Sequence, residues 1–194
     1  MKPDTAPAAL AGAPPDEAEL LRRIALRDRR AFDVLYRAYF HRLSRFLERI
    51  THRPYLTEEI INDTMVVVWR KADTFNGTSR VSTWIFAIAW RKALKALKRL
   101  GAATEITADE TPAPAAEEPE SEFVRREWRE RIARALATLS AEHRAVVELT
   151  YYHGCAYREI AQIVGCPVDT VKTRMYYARR KLKELLGGDA EDSR

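Results

Sequence analysis

Two short amphipathic segments joined by a glycine, near the carboxyl end of the chain, restrict the fold more than any other feature. Residues 157–164 have helical apolar spacing, Gly165 interrupts it, and Pro167 can open a second helix. The apolar positions of the two helices are Ile160, Ile163, Val164, Val171 and Met175. A glycine turn leading into a helix rich in Lys, Thr and Arg is typical of a helix-turn-helix whose second helix enters the major groove of DNA.

The charge is distributed unevenly along the chain. Residues 21–100 carry 18 Lys and Arg against 7 Asp and Glu, and residues 123–187 carry 13 against 7. Residues 101–122 between them hold 7 acidic residues and no basic one. Two basic blocks separated by an acidic segment predict two separate contacts with a polyanion.

These shifts in composition divide the chain into five parts. We expect an Ala- and Pro-rich disordered tail at 1–15, a helical domain at 16–100 and a flexible acidic linker at 101–122. A second helical domain follows at 123–187, before a short tail at 188–194. No alternating strand pattern of useful length is present, and the predicted fold class is all-α.

Four helices are predicted in the first domain and four in the second. The first begins after Asp16, a plausible N-cap, and the second covers 31–51. The third should begin near Thr57, and the fourth should cover 83–100 with Ser82 or a neighbour as its cap.

Catalysis, cofactors and membranes find little support in the sequence. His153, Cys155 and Cys166 have irregular spacing for a metal site, and no nucleophile–base set or phosphate-binding glycine loop is present. No apolar run approaches the 20 or so residues that span a membrane, and nothing resembles a secretory signal. We therefore expect a cytoplasmic protein with reduced thiols, which is not an enzyme, needs no cofactor and has no membrane partner.

Five further segments carry a resemblance to a known family. They are residues 32–39, 58–69, 75–79, 82–85 and 139–146. Together with the helix-turn-helix, in this order and with the acidic segment between the two blocks, they resemble the extracytoplasmic-function group of bacterial sigma factors, members of the sigma-70 superfamily. The resemblance implies a protein that binds core RNA polymerase and directs it to promoters. It implies two helical domains of the sigma2 and sigma4 types, and a linker that threads the polymerase cleft.

The resemblance places a polymerase-binding surface on the third helix. Its residues would be Glu59, Asn62, Asp63 and Met65. Exposed carboxylates beside an apolar patch would suit a small hydrophobic contact with a polar rim. The alternative is that Met65 and Trp69 belong to the core, which we favour for Trp69.

The resemblance also places the −10 element on the first domain. Its loop at 75–80 would hold a base flipped from the non-template strand, and the following basic helix would contact phosphates. The residues implied are Phe75, Asn76, Thr78, Ser79, Arg80, Arg91, Lys92 and Lys95. An ordinary Asn-Gly turn anchored by buried aromatic residues is the alternative, with Trp84 in the core. Trp90 departs from the small polar residue that the family commonly carries nearby.

The second domain would read the −35 element through the helix-turn-helix. The resemblance assigns base contacts to Lys172, Thr173 and Tyr176, and phosphate contacts to Arg174 and Arg179. Two positions depart from the family pattern. Tyr177 replaces a basic residue, and Ala156 replaces the Ser or Thr that would cap the first helix of the pair.

The partners implied are core RNA polymerase, promoter DNA (duplex at −35 and single-stranded at −10) and an anti-sigma factor. The alternative function is a conventional dimeric helix-turn-helix regulator that binds duplex DNA alone. A thiol-dependent or metal hydrolase is the third possibility. The sequence leaves open whether the two domains pack together, which would imply autoinhibition, or stay apart.

Overall fold

The computed structural model describes residues 16–101 and 120–187, with side chains from 125 onward in the second segment. The predicted tails, and the linker between 102 and 119, lie outside the described residues. Those residues form eight α-helices and no strand, which confirms the all-α class. The helices are α1 Glu17–Ala25, α2 Arg29–Thr51, α3 Pro54–Lys71, α4 Val81–Gly101, α5 Glu120–Ala137, α6 Ala141–Tyr151, α7 Tyr157–Val164 and α8 Val168–Gly187.

Side-chain carboxylates fix the start of the first two helices. An Asp16 oxygen accepts a hydrogen bond from the Ala18 N–H at 3.0 Å, which confirms the predicted N-cap. Asp28 accepts from the N–H groups of Arg30 and Ala31 in the same way. Each carboxylate satisfies backbone donors that the first helical turn leaves unpaired.

Two predicted helix starts were wrong. Helix α3 begins at Pro54 rather than near Thr57, because proline suits the first helical position, where its missing N–H is not needed. Thr57 is buried, and its hydroxyl donates to the Arg53 carbonyl. Helix α4 begins at Val81, so that Ser82 lies inside the helix and cannot cap it.

Helices α1–α4 form a first bundle and α5–α8 a second. In the second bundle, α7 and α8 form the predicted helix-turn-helix. Gly165 has a φ of +68°, the left-handed conformation that ends a helix at little cost only for glycine. Ala156 has no side chain that can cap α7, but an oxygen of Glu159 accepts from the Ala156 N–H at 2.9 Å. This is one half of a capping box, and it compensates in part for the missing Ser or Thr. The structure also differs slightly from the prediction at α5, which begins at Glu120, inside the segment expected to be linker.

The two bundles pack against each other as one body. Helix α7 lies on α4 and α6 lies on α2, and the buried apolar residues form one continuous cluster through both bundles. The question that the sequence left open is therefore answered in favour of the compact arrangement. Whether the compact arrangement blocks the predicted binding surfaces depends on which of their side chains remain accessible.

Candidate nucleic-acid interface

The loop at 75–80 has a defined shape. The Asn76 side-chain oxygen accepts hydrogen bonds from the Thr78 N–H at 3.1 Å and from the Thr78 hydroxyl at 2.7 Å. Gly77 has a φ of +73°, which this tight turn requires. The half-buried Phe75 ring packs on Trp84, with centroids 5.6 Å apart. The aromatic pair anchors the loop, and the Asn, Thr and Arg side chains at its tip stay exposed.

An open cleft of about 380 Å³ lies between this loop and the start of α1. One wall is formed by Phe75, Gly77 and Ser79 of the loop, and the other by Asp16 and Glu17. Carboxylate oxygens opposite hydroxyl and aromatic groups offer both hydrogen bonding and stacking to a nucleobase. The sequence analysis missed the two acidic residues, because Asp16 already had a role as helix cap and 59 residues separate it from the loop.

A second open cleft, of about 450 Å³, runs along the basic part of α4. The predicted residues Arg91, Lys92 and Lys95 line it together with Lys71 at the end of α3, which the sequence analysis did not include. Four cations around one groove suit a phosphate backbone. Trp90 is 1% exposed and lies in the core, so its departure from the family pattern leaves the accessible surface unchanged.

One side of α3 is an exposed polar stripe. Glu59, Asn62 and Asp63 are all exposed, as the resemblance implied. Asp63 accepts from the Lys92 ammonium at 2.8 Å, and Asn62 accepts from the Tyr36 hydroxyl at 3.3 Å. The stripe therefore lies beside the basic cleft and shares a salt bridge with it.

Apolar residues mark both ends of this stripe. Tyr55 is 63% and Val66 46% exposed, and they lie four residues before Glu59 and seven after it, on the same face of the helix. Tyr55 was missed because the helix was predicted to begin near Thr57, whereas Val66 lies inside the predicted helix and its spacing from Glu59 could have identified it.

One predicted member of the polymerase surface is incorrectly placed. Met65 is 2% exposed, because it faces the same way as Ile61 and Val68 into the core. Trp69 is half-buried, with its ring edge-on to Phe32 at 5.2 Å. The structure thus keeps Met65 from any surface contact and gives Trp69 the packing role expected of it.

The exposed face of α8 presents the three residues expected to reach base edges. Lys172, Thr173 and Tyr176 are all exposed, and Tyr177 beside them is 53% exposed. The Lys172 ammonium binds Asp169 at 2.9 Å, and the Thr173 hydroxyl donates to the Asp169 carbonyl at 2.9 Å. The hydrogen bond from its hydroxyl fixes the Thr173 side chain, and the Tyr176 ring packs edge-on against Tyr177, with centroids 5.4 Å apart.

The two expected phosphate anchors flank this face. Arg174 is half-buried, with its guanidinium 3.8 Å from the Cys166 sulfur in the turn. Arg179 is exposed and donates to the Tyr151 hydroxyl at 3.0 Å. Tyr151, 59% exposed, extends the polar surface onto α6 and was missed, since the sequence shows no link between residues 28 positions apart.

Of the residues weighed for metal or thiol chemistry, His153 packs against Phe46 and Phe86 of the first bundle, whereas Cys166 lies in the turn between α7 and α8, beside Arg174. Burial raises the pKa of the Cys155 thiol and lowers the pKa of His153 to about 4. A protonated thiol beside a neutral imidazole disfavours nucleophilic chemistry at neutral pH. Among the described residues no three His, Cys, Asp or Glu side chains are grouped to hold a metal ion. None of the described helices is long and apolar enough to cross a membrane.

Comparison with protein families assigns both bundles. Residues 35–103 match the family model described as sigma-70 region 2, and residues 129–182 match the one described as sigma-70, region 4. Residues 1–34, 104–128 and 183–194 lie outside the two matches; they include α1 and the beginnings of α2 and α5.

Curated relatives match along most of the chain. The RNA polymerase sigma-H factor of Pseudomonas aeruginosa is 26% identical over 178 residues, which cover 87% of this chain and 92% of the relative. The ECF RNA polymerase sigma factor RpoE of Cereibacter sphaeroides is 29% identical over 167 residues, covering 81% of this chain and 87% of the relative.

Two solved structures share the fold. CnrH in complex with the cytosolic domain of CnrY superimposes with a TM-score of 0.67 at 24% identity, covering 90% of this chain and 99% of that one. The sigma factor RpoE in complex with the anti-sigma factor NepR from Bartonella quintana gives a TM-score of 0.64 at 25% identity, covering 81% and 98%.

Proposed function

Because this chain belongs to the sigma-70 family, in its extracytoplasmic-function group, we propose that it joins core RNA polymerase and directs promoter-specific initiation of transcription. The observation that carries this proposal is that a loop beside an open cleft, a basic cleft and a helix-turn-helix occur in one chain in which both family regions match. The chain itself performs no chemistry, since the polymerase supplies the active site. It acts in the cytoplasm, where its partners are.

The −35 element is bound as duplex by α8. Lys172 can donate to guanine, while the Thr173 methyl and the Tyr176 ring can contact thymine in the major groove. Arg174 and Arg179 bind the flanking phosphates and fix the register. Support comes from the exposure of the three base-reading side chains on one face.

The −10 element is opened and held by the first bundle. A base flipped from the non-template strand enters the cleft beside Phe75, where loop hydroxyls and the Asp16 carboxylate can pair with its polar edge. The strand backbone then follows the cations Arg91, Lys92 and Lys95. Both clefts are lined in part by α4: residues at its start line the first cleft, and residues further along it line the second. This shared helix supports the path.

Core polymerase binds the stripe on α3. Glu59, Asn62 and Asp63 provide a polar centre, and the exposed Tyr55 and Val66 provide apolar contacts at its ends. An anti-sigma factor, as in the solved complex of RpoE with NepR, would hold the protein inactive by occupying such surfaces.

The test is reconstitution with purified bacterial core polymerase, followed by run-off transcription from genomic fragments. A stable complex that yields promoter-specific transcripts is the expected result. The absence of any complex, with tight binding of a dimer to duplex DNA alone, would instead identify a conventional helix-turn-helix regulator. The matched control is core polymerase without the protein.

A further inference from the structure

Helix α8 carries two exposed tyrosines side by side. Tyr176 is 63% and Tyr177 53% exposed, and their rings pack edge-on with centroids 5.4 Å apart. The proposed −35 contact uses the ring of Tyr176 but not that of Tyr177, which stands where the family pattern carries a basic residue. An aromatic ring at a position expected to hold a cation indicates a different kind of contact with DNA.

Thr173 shares a helix face with both tyrosines. Residues three and four positions apart lie on the same side of a helix, so Tyr176 and Tyr177 both follow Thr173 one turn later. This side points away from the core of the second bundle, because Val171 and Met175 are buried on the opposite side. The three side chains therefore form one patch on the part of α8 that can enter a groove of DNA.

The polar groups around this patch have partners within the helix. The Thr173 hydroxyl donates to the Asp169 carbonyl at 2.9 Å, so the methyl group is the part of Thr173 that remains for another contact. The Lys172 ammonium lies 2.9 Å from an Asp169 carboxylate oxygen, and the Arg180 guanidinium lies 3.1 Å from Glu184. Because these carboxylates offset part of the positive charge, the face offers less to phosphates than its cations alone would.

The apolar group that the major groove presents is the C5-methyl group of a pyrimidine. Thymine carries it, whereas adenine, guanine and unmodified cytosine present hydrogen-bonding groups there. Cytosine methylated at C5 carries the same group. Successive base pairs rise by about 3.4 Å, so two ring centroids 5.4 Å apart span more than one step and cover neighbouring base pairs. The patch therefore has the chemistry and the size to contact two such methyl groups.

We propose that Tyr177 is a further specificity-determining residue, which with Thr173 and Tyr176 reads two pyrimidine C5-methyl groups on neighbouring base pairs of the −35 element. Tyr176 contacts one methyl group and Tyr177 the other. This rests on the proposed function, in which α8 binds the −35 duplex. Because the Tyr177 ring carries no charge, its contact adds sequence preference without adding to the salt dependence of binding.

The test uses the full chain assembled with core polymerase, on promoters recovered by run-off transcription from genomic fragments. Each thymine of the −35 element is replaced in turn by uracil, which removes only the C5-methyl group. Cytosine and 5-methylcytosine are then compared at the same positions, since they differ from each other in that group alone. Fluorescence anisotropy of labelled promoter fragments measures the affinity.

Four variants separate the ring from its alternatives. Tyr177→Ala removes the ring, Tyr177→Phe keeps it without the hydroxyl, and Tyr177→Arg restores a basic residue. Leu185→Ala is the matched control, since it removes another exposed apolar side chain from α8. Circular dichroism checks that helix content is unchanged, and Tyr177→Arg provides the same test if Tyr177→Ala loses helix.

We expect the wild type to bind about fourfold more weakly after loss of the methyl group at either of two neighbouring base pairs. Tyr177→Ala and Tyr177→Arg should lose this response at one of the two, while Tyr177→Phe and Leu185→Ala should keep both. Tyr177→Arg should also steepen the slope of log affinity against log salt by about 0.9. Tighter binding of 5-methylcytosine than of cytosine would assign the site to the methyl group from either source, and a response to thymine alone would restrict it to thymine.

A wild type that is insensitive to uracil, or a Tyr177→Ala variant that keeps both responses, would overturn this inference and leave the proposed function intact. Loss of both responses in Tyr177→Ala would make Tyr177 a positioning residue for Tyr176 and overturn its own methyl contact. Failure to recover any promoter with core polymerase would refute the proposed function, and this inference with it.

Discussion

At Glu159 one carboxylate serves two structures. One oxygen accepts from the Ala156 N–H and completes half of the N-terminal cap of α7, while the other lies 3.3 Å from Arg80 of the loop at 75–80. The helix-turn-helix and the first bundle therefore share one side chain. The position of Glu159 in the sequence indicates only a role at the start of α7. Its contact with Arg80 arises because the two bundles pack together.

The missing cap hydroxyl at Ala156 can be restored. Ala156 has φ −69° and ψ 152°, the extended conformation of an N-cap, so a serine there can accept from the Glu159 N–H. We expect Ala156→Ser to raise the free energy of unfolding by about 0.5–1 kcal/mol, measured by urea denaturation. Ala161→Ser, in the interior of the same helix, should lower it instead. An unchanged free energy of unfolding for Ala156→Ser would show that the hydrogen bond from Glu159 already caps this end of α7 sufficiently.

Lys172 is the residue best placed to distinguish one base. Lys172→Ala should cost about 1–3 kcal/mol at one position of the −35 element and little elsewhere, because a single donor pair is lost. Binding to a panel of duplexes with single substitutions measures this effect. Lys183→Ala, at an exposed position further along α8, is the control. A uniform loss across the panel would reassign Lys172 to a phosphate.

At the level of the element, the loop at 75–80 combines a rigid turn with an exposed amide. Asn76→Ala removes the oxygen that holds Thr78 and should impair promoter opening more than polymerase binding. Asn76→Asp keeps that oxygen but removes the amide donor. This variant therefore distinguishes the loss of the turn from the loss of a hydrogen bond donated to a base. Permanganate footprinting of the −10 region reports the opening. Equal opening by the wild type and Asn76→Ala would count against the loop assignment.

Helix α3 presents the polar stripe of Glu59, Asn62 and Asp63, which we propose to bind polymerase, because Met65, Ile61 and Val68 turn inward. Asp63→Lys breaks the bridge to Lys92 and reverses the charge at the centre of the stripe. We expect core polymerase to bind roughly tenfold more weakly or worse, about 1.4 kcal/mol, in a titration. Asp33→Lys makes the same change at an exposed position of α2 and should leave the affinity unaltered. Unchanged affinity of Asp63→Lys would remove this residue from the interface.

For the molecule as a whole, two titratable groups at the interface between the bundles, His153 and Glu148, have shifted pKa values. Burial, followed by the charges of Arg42, Arg49 and Arg45, lowers the pKa of His153 from 6.5 to about 4. A histidine with a depressed native pKa stabilises the native state fully above pH 6.5, and this stabilisation is lost as the pH falls towards 4. Glu148 acts in the opposite direction: burial raises its pKa above that of the unfolded chain, although the Arg49 charge opposes the shift, so a fall in pH favours the native state at this group.

A histidine variant isolates the first of these effects. We expect the wild type to lose about 1–2 kcal/mol more stability than His153→Gln between pH 6.5 and pH 4, after allowing for the partial exposure of the imidazole. Thermal unfolding at several pH values measures the difference, and Glu148 contributes equally to both proteins. His41→Gln, at an exposed position of α2, should follow the wild type. Identical pH profiles for all three proteins would exclude His153 as the titrating group.

Local structure could be predicted from the residues alone: eight helices, the glycine-ended turn before α8, and the line of basic residues on α4. These follow from apolar spacing, proline and glycine, whose effects act within a few residues. The sequence also indicated the family, through motifs whose residues lie close together along the chain. The starts of α3 and α4 were misplaced, because Thr57 and Ser82 look like caps until their burial or position in the helix is known.

Only the tertiary structure decided which side chains meet across the two bundles. The burial of Met65, the cleft that brings Asp16 beside Gly77, and the pairing of Arg49 with Glu148 join positions that are distant in sequence or set by helix rotation. Such contacts depend on how whole helices pack, and the spacing of apolar residues does not indicate which helix faces meet. The closed arrangement is therefore a property of packing, while the capacity to read DNA was already present in the pattern of residues.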